Sequence, residues 1–255
     1  MVSLDTGRPA GPDPRPLIER LDASARPAVV QYPDVTDAQG RIELSGRVLV
    51  NWAAKTANLL DVEGLSTGSR LAVDLPAAWK SLAVTLGALW AGTEVTLCSQ
   101  GSTDTVSTDA VLTDRPDLWA NHPGVLIAVS PGATDTEFGT ELPAHAVDLS
   151  AEVRQQADQF LLPAPDLSPA TLPALAQGEL PDDGSPTSAS AWIVEQSRGT
   201  AVAAGGQRLD AALLLAAITA WDSLRPVILV PAESLSELDE PSRQALTDEG
   251  LTPTC

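Results

Sequence analysis

Leu44 to Cys98 reads LSGRVLVNWAAKTANLLDVEGLSTGSRLAVDLPAAWKSLAVTLGALWAGTEVTLC, and this stretch decides the fold. Ser45 is placed as an N-cap, because its hydroxyl can accept from an unpaired amide of a first helical turn. Val48, Leu49, Trp52, Ala53, Thr56, Leu59 and Leu60 then recur at helical spacing, and Gly64 is placed to stop the helix. After a turn at Ser66, Thr67 and Gly68, Leu71 to Leu75 is an apolar run of strand length. Pro76 is expected to open a second helix, with Trp79, Leu82, Ala83, Leu86 and Trp90 on one face. Gly92 ends it, and Glu94 to Cys98 reads as another strand. Strand, helix and strand with short links make a right-handed βαβ unit and a parallel sheet.

The flanks continue the alternation. Residues 1–16 are rich in Pro and Gly, and Pro16 to Asp22 reads as a short helix. Ala28 to Tyr32 and Arg41 to Leu44 read as a strand pair. Ala110 to Thr113 and Val125 to Val129 read as strands, with a helical turn over Asp117 to Trp119 between them. The stretch from Pro163 to Pro186 reads as a long surface connection. Strands then recur at Ala191 to Glu195, Thr200 to Ala204 and Pro226 to Val230. A helix at Leu209 to Trp221 is apolar nearly all round, and a last helix spans Glu237 to Glu249. The expected fold is α/β: a doubly wound, mostly parallel sheet flanked by helices. Its expected organisation is a first α/β subdomain over 1–162, a Pro-rich connection over 163–190, and a shorter α/β segment over 191–255.

With 44% hydrophobic residues in 255, the chain can bury a sizeable core. Its net charge of −19 argues against partners that present phosphates, namely nucleic acid and anionic membranes. The N-terminus lacks the apolar core of a signal peptide, and the apolar run Ala211 to Trp221 is too short to span a bilayer. A cytoplasmic location is the expectation. Cys98 and Cys255 are too isolated to define a disulfide framework. Without a His/Cys cluster no metal site is expected. The acidic residues Asp104, Asp109, Asp114 and Asp117 read as a solvated loop around one strand end. His122 and His145 lack the G-x-S-x-G elbow that would support a hydrolase, and no G-x-G-x-x-G follows a strand. Trp52, Trp79 and Trp90 read as core.

The ordered set Leu44, Ser45, Asn58, Leu59, Gly68, Arg70, Ala72, Val73, Leu75, Pro76, Leu86, Ala88, Ala91, Gly92 and Val95 resembles the N-terminal region of adenylate-forming enzymes. These are the acyl-CoA synthetases, luciferases and nonribosomal adenylation domains. The resemblance implies the front part of that family's large domain, and in the family this region is scaffold. It also implies a place for the phosphate-cradling loop S-G-T-T-G-x-P-K-G, here Trp192 to Ala201. Ser197, Arg198, Gly199 and Thr200 occupy it, with the lysine and its proline missing and Glu195 adding negative charge. A glycine-poor loop forms a ring of inward amides with difficulty, so it reads as degenerate. The family's later motifs are absent, and the chain looks like a short group of relatives of about this length.

The expected function is therefore an acyl-CoA synthetase-like, AMP-binding-like protein cut off before the catalytic half. It would be catalytically degenerate, need no cofactor, and bind a small acyl, aryl or nucleotide ligand or a protein partner. The alternative is an active enzyme that uses the crevice at the C-terminal strand ends. The all-apolar helix further suggests a homodimer or a partner docked through residues 205–231.

Overall fold

The computed structural model describes residues 15–33, 40–98, 107–167, 171, 176–177, 193–236 and 238–252. Helix α1 (Leu17–Asp22) leads into strand β1 (Pro27–Gln31), which pairs antiparallel with β2 (Ile42–Ser45). Helix α2 (Gly46–Val62) starts where expected: the Ser45 hydroxyl accepts from the Val48 amide at 3.3 Å. Gly64, at φ +79°, turns the chain out of the helix in a conformation that disfavours a Cβ. Strand β3 (Arg70–Asp74), helix α3 (Trp79–Trp90) and strand β4 (Glu94–Leu97) form the anticipated parallel unit, with Leu71 beside Val95.

Helix α3 starts three residues later than its sequence suggests. Pro76 bridges to Arg208, the Ala77 amide donates to Gln207 O, and the Leu209 amide donates to Leu75 O. This crossing from a distant segment holds residues 75–78 extended and delays the helix. Ala78 has no side chain to cap it, so Gln31 Oε1 of β1 accepts the Trp79 amide at 2.8 Å instead.

Beyond β4 come β5 (Ala110–Thr113), a 3-10 turn (Pro116–Trp119) and β6 (Val125–Ala128). Strand β7 (Ala146–Asp148) and the one-turn helix α4 (Leu149–Glu152) follow, neither announced by the sequence pattern, and then β8 (Ala176–Gln177). The rest of the connection expected over 163–190 lies largely outside the described residues. The last elements are β9 (Ile193–Gln196), β10 (Gly199–Ala203), α5 (Ala211–Asp222), β11 (Val227–Val230) and α6 (Glu240–Asp248).

The fold is α/β and its strands are mostly parallel, but they are divided between two sheets. One runs β2-β1-β11-β10-β9, with β1, β11 and β10 parallel and an antiparallel strand at each edge. The other runs β7-β6-β5-β3-β4-β8 and is parallel throughout. Helices α2 and α3 pack on each other, and α3 touches β1 of one sheet and β4 of the other. Every residue from Trp79 to Leu89 is buried accordingly. The helices cross closely at Gly87, where a Cβ would fall 2.5 Å from Ala53 O and 2.7 Å from Thr56 Cβ.

Helix α5 needs no second molecule to cover it. Leu213, Leu214, Ile218 and Trp221 are buried within the chain, against α1, β9, β10 and β11. The Trp221 indole N–H reaches across to Ala28 O at 2.9 Å. The physical reason for expecting a partner through 205–231 is thus met internally. Trp79 is buried as expected, whereas Trp90 is half-buried. The Trp90 ring stands edge-on to Phe160 at 5.7 Å, and its N–H donates to Leu162 O at 3.0 Å. Among the described residues, no helix is long and apolar enough to cross a membrane.

Candidate functional site

Lys80 is the second residue of α3 and the only charged residue in that helix. It is 4% exposed, so its ammonium must find partners inside the protein. The segment that leaves β6 supplies them: Lys80 Nζ donates to the carbonyls of Ser130 (3.3 Å), Gly132 and Asp135 (3.1 Å). Three N–H groups meet three carbonyls. No carboxylate lies within ion-pair distance of Lys80 among the described residues, and burial is the main cause of its lowered pKa. Arg154 acts in the same direction, while Asp135 and Asp148 oppose. An ammonium held this way shapes the 130–135 loop and offers no lone pair for nucleophilic attack.

The loop is closed further by Ser130 Oγ, which donates to Asp135 Oδ2, and by Trp79 Nε1, which donates to Ala133 O at 3.1 Å. Trp79 in turn meets Trp52 of α2 edge-on, with centroids 5.0 Å apart and ring planes at 78°. Between these parts lies a pocket of about 340 Å³. Its walls are Ile42, Leu44, Val48, Trp52, Trp79 and Ala133, and its polar side is formed by Lys80, Thr134, Asp135 and Arg154. A concavity with an apolar wall and a few convergent polar groups is the usual form of a small-molecule site.

The crevice at the strand ends has a different character. The parallel sheet changes direction between β5 and β3, since β3 continues to β4 on one side and β5 to β6 on the other. That switch point is where open α/β sheets bind ligands at the C-terminal strand ends. Here Asp74, at the end of β3 and fully buried, fills it. Asp74 Oδ1 accepts from Arg115 and Arg208, both at 2.6 Å, and Oδ2 accepts from Trp119 Nε1 at 2.9 Å and Thr113 Oγ1 at 3.3 Å. Arg208 also pairs with Asp114 at 2.8 Å. Burial pushes the Asp74 carboxyl up, but the Trp119 and Arg115 hydrogen bonds and the Arg208 and Arg115 charges outweigh it and hold the pKa below the usual range. The crevice is occupied by an ion-pair cluster in which both Asp74 oxygens are engaged, while Arg115 Nε and Arg208 Nε are buried without a hydrogen-bond partner.

The sequence-derived phosphate-loop residues lie at a hairpin instead. Gly199 pairs with Gln196, so Ser197 and Arg198 are the two turn residues between β9 and β10. Gly199 is buried where a Cβ would come 2.7 Å from Ile228 Cδ1 and 2.9 Å from Pro226 O. The Thr200 amide donates to Pro226 O at 3.0 Å, and Arg198 lies over Gly250. None of the four lines the pocket beside Lys80.

Of the acidic cluster, Asp109 accepts from the Arg70 amide at 2.8 Å, Asp114 pairs with Arg208, and Asp104 lies outside the described residues. Among the described residues no His/Cys/Asp/Glu group is arranged to hold a metal. Cys98 is a free, half-buried thiol whose pKa burial pushes up to about 11, and Cys255 lies outside the described residues. Sequence reasoning passed over Asp74, Arg208, Asp135 and Arg154. Asp74 did carry a signal: an acidic residue inside the apolar run Leu71 to Leu75.

No protein-family model matches the chain. The TIGR03089 family protein of Mycobacterium tuberculosis is 32% identical over 139 residues, which make up 53% of this chain and 56% of that protein. Among solved structures, an acyl-CoA synthetase of Brucella canis superposes with a TM-score of 0.61 at 17% identity. The match covers 96% of this chain and 48% of that one. The O-succinylbenzoate coenzyme A synthetase MenE of Bacillus subtilis gives 0.56 at 11% identity, covering 94% and 60%. The N-terminal domain of FACL13 from Mycobacterium tuberculosis gives 0.54 at 15%, covering 92% and 60%. The chain spans about half the length of the relatives it matches. Its fold is that of the N-terminal portion of the acyl-CoA synthetases and other adenylate-forming enzymes.

Proposed function

We propose that this chain is a small-ligand-binding protein of acyl-CoA synthetase-like fold that does not itself form acyl adenylates. The observation that carries this reading is the hairpin at 196–199. A phosphate cradle needs several consecutive backbone N–H groups aimed at one anion. Here the loop has two residues, the Thr200 amide is engaged by Pro226, and Glu195 precedes it. Neither lysine of the chain serves the loop: Lys80 is held by the 130–135 segment and Lys55 pairs with Asp158. The ligand class follows from fold likeness, since the Bacillus subtilis synthetase was solved with AMP. A small acyl, aryl or nucleotide compound is therefore the expected ligand. The filled crevice around Asp74 weighs against chemistry at the strand ends.

Two measurements test this reading. ATP–pyrophosphate exchange with magnesium and a panel of carboxylic acids should stay at background. A thermal-shift screen with AMP, ATP, coenzyme A and short acids should find at least one compound that raises the melting temperature by mass action. Acid-dependent exchange would overturn the first half of the reading, and a screen without any shift would overturn the second.

A further inference from the structure

The chain has 34 acidic residues against 15 basic ones, yet two cations and one carboxylate line the pocket beside Trp52 and Trp79. The carboxylate, Asp135, is engaged by Ser130 Oγ and lies over Gly132, where a Cβ would come 2.1 Å from its Oδ2. Asp135 acts electrostatically on Lys80, so these two charges offset one another. Lys80 has spent its three N–H groups on carbonyls. Arg154 is left over. It is exposed, sits in the 3-10 turn Val153–Gln155, and makes no hydrogen bond or ion pair among the described residues. A planar guanidinium with free parallel donors matches a carboxylate at two points.

The other wall is apolar. Ile42, Leu44, Val48, Trp52 and Trp79 face the same space, and Val48 is 43% exposed at its rim. The indole N–H of Trp79 is tied to Ala133 and its ring to Trp52, so this wall is fixed in advance of any ligand. A volume of about 340 Å³ lies near the lower end of the roughly 300–1,000 Å³ typical of ligand sites. That favours a compact molecule. Asp135 disfavours a dianion such as a phosphate monoester, because a second negative charge would face it.

We infer that this pocket binds a compact monocarboxylic acid, its carboxylate on Arg154 and its apolar body against Trp52 and Val48. The inference rests on the small-ligand reading above and adds the place and the chemical class. Phenylacetate and hexanoate are the probes, titrated by calorimetry and tryptophan fluorescence, with phenylacetamide and hexanamide as neutral isosteres. At least one acid should saturate, its amide should bind at least tenfold weaker, and added salt should weaken the acid. Arg154→Glu, at an exposed side chain with no hydrogen bond or ion pair among the described residues, should keep the parent melting temperature and bind the acid at least tenfold more weakly. Trp52→Leu provides a second variant on the opposite wall, expected to weaken acid and amide together.

Equal binding of acid and amide, equal binding by Arg154→Glu, or no saturation by either acid at about 10 mM would overturn the inference. The two readings fail differently. If neither acid saturates, or Arg154→Glu binds it as the parent does, while AMP or another compound still raises the melting temperature, the small-ligand reading stands and only this site falls. If no compound in the screen binds, both fall.

Discussion

Replacing Asp74 by alanine removes the acceptor on which Arg115, Arg208, Trp119 and Thr113 converge. Breaking a buried pair by deleting one partner costs about 3–5 kcal/mol, because the other charge is left buried. The geometry places this case near the lower end, since Arg208 retains Asp114 and the Arg115 side chain is one-third exposed. About 3 kcal/mol, at roughly 2–4 °C per kcal/mol for a domain of this size, lowers the melting temperature by roughly 6–12 °C. Urea unfolding followed by circular dichroism measures the difference directly. The pH dependence has a definite sign. The folded pKa lies below the ordinary 3.8, so the stabilisation is complete above that value and disappears as pH falls through the folded one. The gap between parent and Asp74→Ala should be constant from neutral pH to about pH 5 and shrink below about pH 4. A variant as stable as the parent at pH 7, or a gap that widens in acid, would refute the reasoning.

Trp79→Ala should cost roughly 3–5 kcal/mol in the same assay, because it empties a buried site and releases the Ala133 carbonyl; parent-like stability would remove α3 from the core. Leu214→Glu should unfold the chain rather than dissociate an oligomer, since Leu214 is fully buried within it; a folded, soluble variant by circular dichroism would contradict that burial. Gly87→Ala should destabilise by roughly 1–3 kcal/mol through overpacking where α2 and α3 cross, read from the urea midpoint, and no change would mean the crossing is looser than described. Tyr32 is the chain's one tyrosine, and burial, then its hydrogen bond to Glu249, pushes its pKa from 10.0 up to about 12. Absorbance at tyrosinate wavelengths should show folded protein almost un-ionised at pH 10, where a free tyrosine is half-ionised. Because the folded pKa is the higher one, stability should decline as pH rises past 10 toward 12.

What the sequence displayed openly was local chemistry. Ser45 caps, Gly64 and Gly92 stop helices at positive φ, and the apolar strands lie where their composition places them. What it concealed was set by distant segments. Pro76 looks like a helix opener, but the bridge from Arg208, 132 positions along the chain, holds it extended. Strand β7 spans three half-buried residues and shows no alternation to read. The division into two sheets depends on which strands pair, and no single strand records that. Strands on either side of residues 197–198 were legible, while their antiparallel pairing and the two-residue turn between them follow only from the register of β9 on β10. Lys80 was visible as a lone charge in an apolar helix. Its meaning came from carbonyls 50 to 55 positions away, and the pocket it borders could not be assembled from the helix alone.

The pairing of β1 with β11 has a consequence in time. Val29 lies beside Val227, 198 positions later, and β1 sits between β2 and β11 in its sheet. A chain emerging from the ribosome can close strands β3 to β7 of the parallel sheet while β1 and β2 remain a two-stranded hairpin that helices cover, with the β1 edge that takes β11 still open. The apolar residues Ala28, Val29 and Val30 then wait until the chain has grown as far as Val227 before their partner appears. Pairing across so long a loop is slow, and an early strand kept waiting is exposed to capture by other chains. Polypeptides halted before Val227 should therefore bind chaperones through residues 27–31, and release should coincide with the emergence of β11.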